Sequence, residues 1–188
     1  MSEITELKTI ISSIFPNEYQ KENFLKHYAN VFLGGKNKGF DVWYGKGNNG
    51  KTLLFNLFRR TFFEDIADLT YNILIEKMKV EDLRRIFDFD AKVVYISEND
   101  GTKINKECLT QLLDECNTLF IITNTLDILP DFEPKNIFNF ESIFSFDPDD
   151  GELLDDRNLN LKLRDSKYSE ALLKILFEHT HEKSKIIS

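Results

Sequence analysis

The residues with the clearest chemical potential lie in "GKGNNGKTLL", Gly45 to Leu54, where three glycines in six positions precede a Lys-Thr pair and an apolar run. Gly45, Gly50, Lys51 and Thr52 satisfy the spacing G-x-x-x-x-G-K-[ST]. In such a loop the glycines let the backbone wrap phosphates, whose charge is met by exposed N–H groups and a helix N-terminus. Lys51 is expected to reach the β- and γ-phosphates of ATP, and the Thr52 hydroxyl to ligate Mg²⁺. The whole stretch Gly45, Lys46, Gly47, Asn48, Asn49, Gly50, Lys51, Thr52 and Leu53 is therefore the candidate nucleotide cradle.

A phosphate loop needs a carboxylate at the tip of a neighbouring strand. "YISEND" offers Glu98, with Asp100 less well placed and Ser97 just before it. Glu98 is the candidate for polarising an attacking water or holding the metal's water shell. Asn124 closes "TLFIITN" and can hydrogen-bond the γ-phosphate and the water. A helix-capping carboxylate and a turn-forming asparagine are the structural alternatives for these two residues.

These groups need elements to position them. "FDVWYG" (residues 40–45) reads as a buried strand running into the glycine loop, followed by a helix with Leu54, Leu57, Phe58 and Phe62 on one face. Further strands are expected in "AKVVYISEND" and "TLFIITN", with a helix from Asn105 to Glu115 between them, and "NIFNFESIF" reads as a short extended piece. Upstream, Leu7, Ile10, Ile11 and Ile14 repeat at helical spacing until Pro16. A second helix carries Phe24, His27, Tyr28, Val31 and Phe32 and stops at Gly34-Gly35, with His27 read as a packed residue. Tyr168, Ala171, Leu172, Ile175, Leu176 and His179 mark a closing helix, capped by Asp165 or Ser166. Strands alternating with helices predict an α/β fold with a parallel sheet covered on both faces.

Composition narrows the function classes. The 188 residues are 41% hydrophobic and 30% charged, and no stretch approaches the ~20 apolar residues of a membrane span. The acidic start "MSEITELK" does not resemble a targeting peptide. Cys108 and Cys116 lack metal-ligand spacing and read as free thiols of a reducing, intracellular compartment. The net charge of −8 argues against a broad nucleic-acid-binding face. The acidic run "FDPDDGELLDD" departs from the EF-hand pattern at Gly151 and reads as a solvated loop.

The order of these pieces resembles the superfamily three helicase domain of the AAA+ class, above all the poxvirus-type primase–helicases of large DNA viruses and phages. The resemblance is carried by "IFPNEYQKENFLKHYANVFLGGKNKGFDVWYGKGNNGKTLL", "VVYISENDGTKIN", "TLFIITNTLDILP", "FNFESIF" and "LNLKL…YSEALLKILFEHT". It implies a P-loop NTPase of AAA+ type over residues 37–188, preceded by an N-terminal helical segment, residues 1–36. It further implies ATP and Mg²⁺ as cofactors, Glu98 in the second motif and Asn124 as the sensor. Expected partners are single-stranded DNA, a homo-hexameric or other ring, and replication proteins.

Two departures from that family pattern bear on function. Only "CNT" separates Glu115 from the core of the sensor strand, too little for a DNA-gripping hairpin. Lys135 stands near the position of the family's arginine finger, and a lysine lacks the planar fork. A regulatory ATP-binding oligomerisation module is thus the alternative function. A small-molecule kinase fits the length, but some forty residues precede the loop, and only isolated Arg157 and Arg164 follow Arg85.

Overall fold

The computed structural model describes residues 2–34, 38–46, 49–79, 81–82, 85, 91–97, 101–131, 133–141 and 156–181. Among the expected residues, Gly47, Asn48, Glu98 and Asp100 lie outside this set, as does the acidic run up to residue 155. The chain forms two compact units. One comprises Met1–Gly35, Gly47–Phe63 and Phe140–Ser188; the other comprises Lys36–Lys46 and Glu64–Asn139. The N-terminal helices share a unit with the C-terminal helix.

The second unit holds the sheet. Its strands are β1 (Gly39–Tyr44), β2 (Ile66–Leu69), β3 (Val93–Ser97), β4 (Thr118–Thr123) and β5 (Asn136–Asn139). They pair entirely in parallel in the order β2-β3-β4-β1-β5. The fold is α/β, as the alternation of elements predicts. β2 is a strand that hydrophobic patterning did not reveal: "IADL" has a charge in its middle and only one buried residue, as an edge strand tolerates.

Alternation along the strands divides the sheet into two buried faces. Phe40, Val42, Val94, Ile96, Leu119 and Ile121 pack with Leu109 and Leu112 of helix α4 (Lys106–Glu115). Trp43 and Phe120, on the other face, are fully buried and stack with ring centroids 5.7 Å apart. α4 starts where expected, with the Asn105 side chain accepting from the amides of Glu107 and Cys108. Both thiols are buried and free. Burial pushes Cys116 up to about 12 and raises Cys108 as well. Asp41, only 1% exposed, accepts a 2.7 Å bond from the Asn136 amide, its register partner on β5. That bond fixes the alignment of the edge strand.

The first unit is helical: α1 (Glu3–Ile14), α2 (Glu18–Ala29), α3 (Lys51–Thr61), α5 (Asp156–Lys162) and α6 (Ser166–His181). α2 passes into a single π turn, Asn30–Gly34, at the glycines expected to stop it. His27 is half-buried, edge-on to the ring of Tyr28. α6, whose start is held by the Asp165 carboxylate accepting from the Lys167 amide, packs against α1, α2 and α3. Rings of Phe15, Phe24, Tyr28, Phe58 and Phe140 meet in tilted and edge-on pairs 4.6–6.1 Å apart, geometries that suit aromatic quadrupoles.

Glu6 of α1 accepts from Lys162 on α5 and from the Tyr168 hydroxyl on α6, the latter at 2.7 Å. Chiefly through Lys162, and then Tyr168, these bonds hold its carboxyl below the ordinary 4.5. A carboxylate with a depressed folded pKa stabilises above the unfolded value and loses that contribution as pH falls through the folded one. Glu6→Gln is therefore expected to lower the urea midpoint modestly at pH 7 and not at pH values well below 4.5. A deficit independent of pH would show that shape, not charge, matters at this junction.

Candidate functional site

In an all-parallel sheet every strand ends at the same edge, and strand order decides where a ligand fits. The connection from β1 runs toward β2, past β4 and β3, whereas that from β4 runs the other way to β5. The carboxyl ends of β1 and β4 thus mark the point where strand order reverses, the usual place for a ligand crevice in open α/β sheets. Tyr44 and Thr123 end these strands in register, so Gly45 and Asn124 leave adjacent strands at one level. Gly45 is buried with φ 153°; Lys46 and Asn124 are exposed. The chain beyond Asn124 is held by Thr123, whose buried hydroxyl donates to the Thr125 carbonyl and accepts from its amide.

The second half of the loop belongs to the helical unit. Gly50 is left-handed, φ 89° and ψ −2°, at the N-cap of α3. A Cβ there would lie 2.7 Å from Cδ1 and Cγ1 of Ile14. Gly50, as N-cap, has no side chain to accept from the first amides of α3, and the positive end of a helix favours an anionic neighbour. Lys51 is 6% exposed, Leu53 is buried and Thr52 is exposed. The Lys51 ammonium donates to Asn49 Oδ1 at 3.0 Å, and the Asn49 amide nitrogen donates to the Phe140 carbonyl at 2.8 Å. Burial pushes the Lys51 ammonium down to about 8.

The structure thus groups Asn49, Gly50, Lys51, Thr52 and Leu53 at the start of α3, and Gly45, Lys46 and Asn124 at the carboxyl edge of the sheet. The two groups are joined through the chain at residues 47–48. Sequence reasoning missed Ile14 and the Phe140 carbonyl. No local signal marks them, since Phe140 is 91 positions from Asn49.

Lys135 lies just before β5. Its amide donates to the carbonyl of Phe40 at the beginning of β1, and its aliphatic stem lies beside Gly39. It therefore stands at the amino edge of the sheet, whereas Gly45 leaves the carboxyl edge, roughly 15–20 Å along the strand.

Among the described residues there is no cluster of three or more His, Cys, Asp or Glu side chains suited to a metal. None of the described helices is long and apolar enough to cross a membrane.

The buried lysine yields a pH test. Its folded pKa of about 8 lies below the ordinary 10.5, so between these values the folded state binds fewer protons than the unfolded chain. Stability contributed through Lys51 must then rise with pH across that window. Relative to Lys51→Met, which keeps most of the stem, the parent is expected to gain stability from pH 7 to pH 10.5 in urea titrations. A constant difference would mean that the ammonium is not desolvated.

Comparisons with known proteins agree with this geometry at two levels. No family model matches the chain. It is 34% identical over 79 residues to the helicase-named protein 121R of Invertebrate iridescent virus 3, covering 41% of this chain and 8% of that protein. It is 40% identical over 58 residues to the helicase-named protein 022R of Frog virus 3 (isolate Goorha), covering 30% of this chain and 6% of that protein. The chain thus spans less than a tenth of the length of either relative. Among solved structures, two apo forms of the NrS-1 C-terminal region superpose with TM-scores of 0.63 and 0.62 at 14% and 15% identity. Each covers 92% of this chain and 45% of the other. The chain shares its fold with that region and part of its sequence with viral proteins named as helicases.

Proposed function

We propose that this chain is an ATP-binding and ATP-hydrolysing domain related to viral replicative helicases. The observation that carries this reading is the buried Lys51 beside the left-handed Gly50, at the start of α3. A triphosphate is the ligand that such a site suits, because it supplies several anionic oxygens to amides and an ammonium at once. The Thr52 hydroxyl, exposed on the first turn of α3, is the side chain that would hold a Mg²⁺ bound with the nucleotide. That ion would neutralise charge on the transferred phosphoryl group. Glu98 is assigned to orienting and activating water, and Asn124, at the end of β4, to sensing the γ-phosphate. Lys51→Ala is expected to abolish tight Mg-ATP binding in calorimetry, and Glu98→Gln to preserve binding while removing most hydrolysis. Unchanged ATP affinity in the first variant would overturn the assignment of the loop.

A second reading, an ATPase module that does not unwind DNA by itself, is favoured by one observation. α4 ends at Glu115 and β4 begins at Thr118. The Cys116 amide bonds back to the Leu112 carbonyl and the Thr118 side chain is buried. The connection is therefore taut, with no surplus chain to grip DNA. Lys135, at the amino edge, could supply a finger only to a neighbouring subunit. We expect weak, strongly salt-sensitive DNA binding and little stimulation of ATP hydrolysis by single-stranded DNA. Robust ATP-dependent separation of a forked duplex by the isolated chain at physiological salt would overturn this reading.

A further inference from the structure

Asn49 offers one amide to two different partners, and each half can serve only one of them. The oxygen can only accept, so it must face the Lys51 ammonium; the NH₂ can only donate, so it must face the Phe140 carbonyl. The two bonds, 3.0 and 2.8 Å long, fix the orientation of an amide that is only 8% exposed. Its anchor is itself held. The Glu141 amide donates to the Ile14 carbonyl at 3.2 Å, and the Phe140 ring packs on Phe15 and Phe24 with centroids 4.7 and 6.0 Å away. Ile14 in turn places its side chain against Gly50. Three segments far apart in sequence therefore close a circuit: the end of α1, the phosphate loop, and the chain just after β5.

We propose that Asn49 is the positioning residue of the phosphate-binding lysine, holding the Lys51 ammonium in place before nucleotide arrives by tying it to the Phe140 backbone. The inference rests on the assignment of Lys51 to ATP phosphates and deepens it. A lysine side chain has four rotatable carbon–carbon bonds, and fixing it costs rotamer entropy. An ammonium has three donors. The bond to Asn49 restrains the head group at one of them. Much of the ordering of Lys51 is thereby completed in the free protein, which is how preorganisation raises affinity. Aspartate would set a carboxylate oxygen against the Phe140 carbonyl, and leucine would remove both bonds.

The test uses the full chain. In nucleotide-free protein, the ¹H–¹⁵N signal of the Lys51 ammonium, assigned by its loss in Lys51→Met, should be visible through slowed exchange with water. Asn49→Leu should remove that signal and weaken Mg-ATP binding about tenfold by calorimetry. Asn49→Thr, whose hydroxyl can accept from the ammonium, should recover most of both. If Asn49→Leu does not fold, Asn49→Ala takes its place with the same expectations. An unchanged ammonium signal in the apolar variant overturns the inference, whatever happens to ATP. A lost signal with undiminished ATP affinity overturns the positioning role. If the parent binds no ATP, the assignment of the loop has failed, and with it the role toward phosphate. The ammonium signal then still reports separately whether Asn49 holds Lys51.

Discussion

Gly50 adopts a backbone conformation that an L-residue enters only at a cost of about 1–2 kcal/mol, and the side chain of Ile14 occupies the place where a Cβ would project. These two facts act together. The left-handed turn redirects the chain into α3, and the close approach of Ile14 ties that turn to α1. Lys51, Thr52 and Leu53 inherit their directions from this turn, since in a helix each side chain's heading follows from the first helical residue. The position therefore excludes other residues both by torsion and by space. The apolar neighbour matters as much as the glycine, because it lines one side of the loop with hydrocarbon and so contributes to the dry surroundings of Lys51.

A tight turn of this kind needs a stiff support, and the helical unit supplies one through aromatic packing. Phe15 and Phe24 are essentially inaccessible to solvent, and both contact the Phe140 ring. The same side chains that bury apolar area thus hold the carbonyl on which Asn49 is anchored. In this unit, core packing and site geometry are one set of contacts. The sheet unit works differently: its strands are secured by parallel pairing and two buried faces, and Gly45 and Asn124 leave it at one level.

Much of this could be read from sequence where the signal is local. The apolar strands around Trp43, Val94 and Ile121, the periodic faces of α3 and α6, the Asn105 cap and the glycine spacing of the loop all depend on neighbours within a few positions. What escaped depends on distance along the chain. The Ile14 contact with Gly50 and the Phe140 carbonyl under Asn49 have no local pattern. β2 escaped because an edge strand with one buried residue lacks a hydrophobic period. The edge of the sheet at which Lys135 stands has no local signal either, because parallel pairing with β1 decides it. The shortness of the α4–β4 connection, by contrast, was plain from sequence and remained so in three dimensions.

The helical unit draws on both ends of the described chain: the Tyr168 hydroxyl reaches Glu6 across 162 positions. During synthesis, α1 and α2 must emerge long before α6 is available to cover them, with Leu7, Ile11, Phe24 and Tyr28 waiting for their partner faces. Pairings this remote in sequence are slow to form, because loop closure must be achieved before contacts can reward it. The sheet unit, formed mainly by the intervening segments, can be complete on the ribosome while the helical unit is still unfinished. Nascent chains of this protein thus pass through a stage with exposed aromatic surface, when holding chaperones have most to bind.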